Sequence, residues 1–94
     1  MPAIKAALIG TGRIAQEHLA CVQQLPGVEM SGVCDRYGAV AEMTAERFGV
    51  GAWFSDHRRM LEVLKPDVVH VTTPPTSHVP LVLDALDAGC HVFV

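Results

Sequence analysis

Two glycines separated by one residue, with an alanine three positions further on, stand at Gly10-Thr11-Gly12-Arg13-Ile14-Ala15. These are the residue types that a phosphate-holding turn requires. Gly10 can take the backbone angles of a tight turn, Gly12 has no Cβ to hold a pyrophosphate away, and Ala15 lets a following helix lie close against a sheet. Free N–H groups and the positive end of that helix then face the phosphates. Thr11, Arg13 and Ile14 complete the candidate turn. Asp35 lies 20 residues after Ala15, where a carboxylate can accept hydrogen bonds from both hydroxyls of an adenosine ribose. Beside it, Arg36 can stack on adenine or meet a 2′-phosphate that Asp35 would repel. NAD is therefore expected over NADP, with NADP left open. In a third group, Thr73-Pro74-Pro75-Thr76-Ser77-His78, the two prolines set a rigid extended turn and remove two N–H donors. It is expected to border the nicotinamide half of such a cofactor.

The elements that must position these residues are short apolar runs alternating with longer stretches of helical period, the pattern of βαβ units. Strands are expected over residues 3–9, 28–34, 52–54, 68–72 and 91–94. The first helix should bury Ile14, His18, Cys21, Val22 and Leu25 and stop at Pro26-Gly27; the second should bury Ala41, Thr44, Ala45 and Phe48 and close at Gly49. Ser55 or Asp56 can cap a third, with Met60, Leu61 and Leu64 inward and Pro66 ending it. Ser77 can cap a fourth, with Pro80 in its first turn, Val79, Val82, Leu83 and Leu86 as its buried stripe, and Gly89 as its stop. Right-handed crossovers between successive parallel strands then favour a doubly wound α/β sheet of Rossmann type in the order 3-2-1-4-5. A ligand belongs at the carboxyl ends of strands one, two and four. All three candidate groups fall there.

Bulk composition narrows the partners. With 94 residues, one core is expected, and half the residues are hydrophobic while only 5% are aromatic, as in sheets covered on both faces. A formal charge of -3, with Arg58-Arg59 the sole adjacent basic pair, offers no stripe for nucleic acid. Cys21, Cys34 and Cys90 are odd in number and lack metal-type spacing, so a reducing cytoplasm is expected, without disulfide framework or metal site. No apolar run reaches the ~20 residues of a membrane span. His18 is expected to be a packed, hydrogen-bonded core residue, and His57 and His70 to be structural or exposed. A fifth strand poorly covered at Val92, Phe93 and Val94 points to a homo-oligomer.

Ala7-Leu8-Ile9-Gly10-Thr11-Gly12-Arg13-Ile14-Ala15, then Gly32-Val33-Cys34-Asp35-Arg36, then Thr73-Pro74-Pro75 with His78, then Ala88-Gly89-Cys90-His91-Val92 stand in that order. The spaced set resembles the glucose-fructose oxidoreductase, inositol dehydrogenase and rhizopine-catabolism (Gfo/Idh/MocA) family over essentially the whole chain. The resemblance implies an NAD(P)-dependent oxidoreductase of sugars, cyclitols or related polyols, and places His78 beside the nicotinamide ribose and phosphates. It also implies an acidic residue, a lysine and a proline directly after the fifth strand, the lysine being the usual acid/base group. The chain ends at Val94, before that position, and neither Lys5 nor Lys65 matches it. The expectation is thus an incomplete dinucleotide-binding domain over residues 1–94, without its substrate domain, without a catalytic residue and inactive alone. The alternative is a non-catalytic NAD(H)-binding regulatory module. A methyltransferase-like binder of adenosyl cofactors is opposed by the Thr-Pro-Pro-x-x-His group.

Overall fold

Alternate side chains of a strand point to opposite faces, and the first strand, β1 (Ile4–Ile9), is apolar on both. Ala6 and Leu8 face one side and Ala7 and Ile9 the other, all buried, so this strand must lie at the centre of a sheet covered twice. The computed structural model describes residues 3–94 and places it there. Five parallel strands, β1, β2 (Val28–Cys34), β3 (Trp53–Phe54), β4 (Val68–Val71) and β5 (His91–Phe93), are ordered β3-β2-β1-β4-β5. This is the expected order. A bulge at Ser31 interrupts the β1–β2 pairing between Ala6–Met30 and Ala7–Gly32, and the buried Ser31 hydroxyl has no hydrogen-bond partner among the described residues.

Four helices complete the two layers: α1 (Arg13–Gln23), α2 (Gly38–Phe48), α3 (His57–Leu64) and α4 (His78–Asp87). α1 and α2 pack with Leu8, Met30 and Val33 on one face, and α3 and α4 pack with Ile9, Val69 and Val71 on the other. Asp56 caps α3, its side chain accepting from the Arg58 N–H at 3.0 Å. Lys65 ends that helix in a left-handed conformation before Pro66, and Gly49 does the same for α2.

Two helix faces differ from the sequence expectation. α1 buries Ala15, Leu19 and Val22, and leaves Ile14, Cys21 and Leu25 exposed. The glycine turn draws the start of α1 so close to β1 that a small side chain must sit on the line of contact, which rotates the larger residues outward. α4 shows the same pattern of burial, with Ala85 fully buried while Val79, Leu83 and Leu86 are all more than half exposed. Ser77 holds the N-cap position of α4, as expected, but its side chain makes no cap hydrogen bond there. A 3-10 turn, Pro75–Ser77, precedes the helix, and the Ser77 hydroxyl donates to the Pro74 carbonyl within it.

His18 of α1 and His70 of β4 meet edge to face with their Nδ1 atoms 3.3 Å apart, against the Phe93 ring. One nitrogen must donate and the other accept, so a second proton leaves no acceptor. Burial, and then the His18 charge, hold the His70 pKa below its ordinary value of 6.5. The unfolded chain binds more protons below that value, so the pair stabilises the fold fully above about pH 6.5 and progressively less as pH falls. Denaturant midpoints should therefore drop between about pH 7 and 5.5, and His70→Gln, which does not titrate, should flatten that slope; an unchanged slope removes the pair as its cause.

Candidate functional site

The turn from β1 to α1 is set by what lies behind each glycine. Gly10 has φ +98°, and a Cβ there would lie 2.8 Å from Thr73 Cγ2 and 2.9 Å from the Thr73 backbone nitrogen. Gly12, the N-cap of α1, has φ -78°, and a Cβ there would meet no protein atom within 4 Å. The first glycine is needed by the fold, and the second leaves open space in front of a helix N-terminus. Among the described residues no side chain caps α1, so the N–H groups of its first turn remain available to an anion.

That space belongs to a cleft of about 890 Å³ along the carboxyl edge of the sheet, within the range of small-molecule sites. Gly10, Thr11, Gly12, Arg13, Ile14, Asp35, Arg36, Thr73, Pro74 and Pro75 all line it. Ala15 does not. It is fully buried beneath α1, where its small side chain permits the close approach of helix and sheet.

Asp35 does more than the sequence shows. Its Oδ2 accepts from Thr11 N at 3.0 Å and from Thr11 Oγ1 at 2.8 Å, and its Oδ1 accepts from Tyr37 N at 2.9 Å. The carboxylate thus ties the end of β2 to the glycine turn and keeps acceptor capacity on Oδ1 for a ribose hydroxyl. Burial pushes the Asp35 pKa up, but the Tyr37 and Thr11 hydrogen bonds and the Arg36 charge outweigh it and hold the carboxyl below its ordinary range. Arg36 lies over the Tyr37 ring, 4.9 Å from its centroid, which fixes a flat cation at this end of the cleft.

His78 is placed differently from expectation. Its Nε2–H donates to the Thr73 carbonyl at 2.6 Å, bracing the proline turn from behind, and the residue does not line the cleft. A ring in the first turn of α4 reaches the carbonyl five residues earlier because the 3-10 turn folds the chain back on itself. Cys34 does line the cleft, but burial and then the Asp35 and Asp56 charges push its thiol up to about 12, so it is no nucleophile.

Tyr37, Ser55, His57, Arg58 and Asp84 also border the cleft and escaped the sequence reading. His57 and Asp84 are 27 positions apart on two helices, and no local pattern links them. The one usable signal was position, since His57 opens the helix that follows the strand beside Asp35.

The family model described as the oxidoreductase family with NAD-binding Rossmann fold matches residues 4–94. D-glucoside 3-dehydrogenase of Escherichia coli is 37% identical over 90 residues, covering 95% of this chain and 26% of that protein. Glycosyl hydrolase family 109 protein 2 of Akkermansia muciniphila is 31% identical over 100 residues, covering 97% and 21%. A solved structure of scyllo-inositol dehydrogenase from Lactobacillus casei, with bound NAD(H) and scyllo-inositol, superposes with a TM-score of 0.88 at 25% identity, covering 97% of this chain and 27% of that one. The chain spans about a quarter of the length of these relatives. With the glycine turn, the uncapped helix and the acidic second strand converging on one cleft, the chain belongs to the Gfo/Idh/MocA oxidoreductase family and carries that family's NAD-binding Rossmann fold.

Proposed function

We propose that this chain is the cofactor-holding part of an NAD-dependent dehydrogenase acting on a hydroxyl of a sugar or cyclitol. The observation that carries this reading is the open space before Gly12, at the uncapped N-terminus of α1, in the same cleft as Asp35. The similarity to the E. coli D-glucoside 3-dehydrogenase and the L. casei scyllo-inositol dehydrogenase supports the substrate class. The pyrophosphate would lie on the α1 N–H groups, the adenosine ribose on Asp35, and the nicotinamide against the lip of Thr73, Pro74 and Pro75. The bound cofactor supplies the hydride acceptor. Three titratable groups lining the cleft are unsuited to take the alcohol's proton: Cys34 is held protonated, Asp35 is tied to Thr11, and His57, bonded to Asp84, stands on the β2 side of the sheet beside Asp35, away from the Thr73-Pro74-Pro75 lip. Proton removal and substrate positioning are therefore proposed to come from outside these 94 residues, which by themselves should give no turnover.

Calorimetric titration of the chain with NAD tests the reading. Binding is expected, more tightly to NAD than to NADP, because a carboxylate at position 35 repels a 2′-phosphate. Asp35→Ala removes a charged acceptor and releases Thr11, for an expected loss of about ten- to a hundredfold, from ~1.5–3 kcal/mol per hydrogen bond to a charged group. Equal binding of NAD by parent and variant would sink the assignment of the ribose site.

A further inference from the structure

His57, the first residue of α3, places Nε2 2.7 Å from Asp84 Oδ2 on α4, and Arg58 Nε lies 3.2 Å from the same oxygen. All three line the cleft together with Asp35, Arg36 and Tyr37. The His57 and Asp84 side chains keep only about a quarter of their surface exposed, 24% and 27%. Nothing in the binding of phosphates, ribose or nicotinamide uses this cluster.

Its chemistry fixes a direction. The hydrogen bond from His57, and then the one from Arg58, hold the Asp84 carboxyl below its ordinary range, so at neutral pH it can only accept. The proton between them must therefore sit on His57 Nε2. In a neutral imidazole the other nitrogen, Nδ1, is then a bare lone pair, and it has no hydrogen-bond partner among the described residues. The result is an imidazole of fixed tautomer, with a free acceptor, on a residue that lines the cleft.

The place of that acceptor follows from the sheet. β3 pairs with the end of β2 through Val33–Trp53 and Cys34–Phe54, so the start of α3 stands beside Asp35 at the adenosine end. A base attached to a ribose held on Asp35 extends over this wall. Adenine carries an exocyclic N6 amino donor, whereas a 6-oxo purine carries a carbonyl acceptor at the same atom.

We propose that His57, oriented by Asp84 and flanked by Arg58, is a specificity-determining residue that accepts a hydrogen bond from the adenine N6 amino group. The site then reads the base and rejects 6-oxo purine dinucleotides, whose carbonyl would face the Nδ1 lone pair with neither group satisfied. This inference rests on the NAD reading above. Asp84 acts through His57 as a positioning residue.

The test titrates the 94-residue chain calorimetrically with NAD and with nicotinamide hypoxanthine dinucleotide, at about pH 8, where an ordinary imidazole is neutral. NAD is expected to bind tighter by about tenfold or more. His57→Phe, which keeps a ring but no acceptor, should bring the ratio of the two affinities close to one. Asp84→Asn should also lower it, because an amide can accept from Nε2 or donate to it and so no longer dictates the tautomer. A merely structural role for the cluster would weaken both dinucleotides alike and leave the ratio unchanged. That outcome, or equal binding of the two dinucleotides by the parent chain, overturns the inference while leaving the NAD reading intact. Binding of neither dinucleotide by the parent overturns the NAD reading, and the inference with it.

Discussion

Gly12→Val is expected to abolish NAD binding while leaving the chain folded. The position has φ -78° and extended backbone, which any residue adopts, and a Cβ there meets no protein atom within 4 Å. Valine is a poorer N-cap than glycine, a loss of only about 1 kcal/mol or less. Its branched side chain would, however, fill the space directly before the N–H groups of Arg13, Ile14 and Ala15, where the pyrophosphate must approach. Displacing that group removes the phosphate from the helix terminus altogether, and a fall in affinity of at least ~100-fold, about 2.7 kcal/mol, is expected. Calorimetry reads the affinity and chemical denaturation reads the fold. Parent-like affinity in the variant would mean that the phosphates lie elsewhere.

Gly10→Ala should do the opposite, unfolding the chain more readily because the fold itself needs this glycine. Its φ of +98° is one that side chains rarely adopt, which alone costs about 1–3 kcal/mol. The added Cβ would also press on the Thr73 backbone nitrogen at 2.9 Å and on the carbonyl carbon of Thr72 at 3.0 Å, and this backbone, tied to β1 by the Thr72 N–H bond to the Ile9 carbonyl, cannot swing aside as a side-chain tip does. Together these give an expected loss of about 3 kcal/mol or more, roughly a third of the total for a domain of this size, and a fall in Tm of more than ~12 °C. Thermal and denaturant melts measure it. A loss under about 1 kcal/mol would show that the turn can relax and that Gly10 is there for the ligand alone.

The contrast between these two glycines marks what can be read from the chain as a string. The spacing Gly10-x-Gly12-x-x-Ala15 and the carboxylate at Asp35 follow strand ends, so they are legible wherever strands are legible, and the cleft contains Gly10, Gly12 and Asp35. The division of labour between the two glycines is not legible, since it depends on Thr73, 63 positions away in the turn after β4, backing onto Gly10. His78 shows the same limit. Its place beside the proline group was readable, but the direction of its ring was decided by the 3-10 turn that aims it at the Thr73 carbonyl.

By itself the sequence determined the element order, the sheet order β3-β2-β1-β4-β5, the glycine turn and the acidic end of β2. Each of these follows from local apolar periodicity, from glycine and proline stops, or from the handedness of crossovers, which act over a few residues or admit few solutions. Tertiary structure alone decided which face of α1 and of α4 is buried, whereas the buried faces of α2 and α3 follow the periodicity. In α1 and α4 the closest approach to the sheet selected Ala15 and Ala85, against a periodicity that favoured Ile14 in one and Val79 and Leu83 in the other. It alone brought His57 and Arg58 to Asp84, and His18 to His70, across loops and helices that no short-range pattern spans. Hydrophobic patterning is non-directional and reports only that a side chain is apolar; the contact distance between backbones decides which apolar side chain fits.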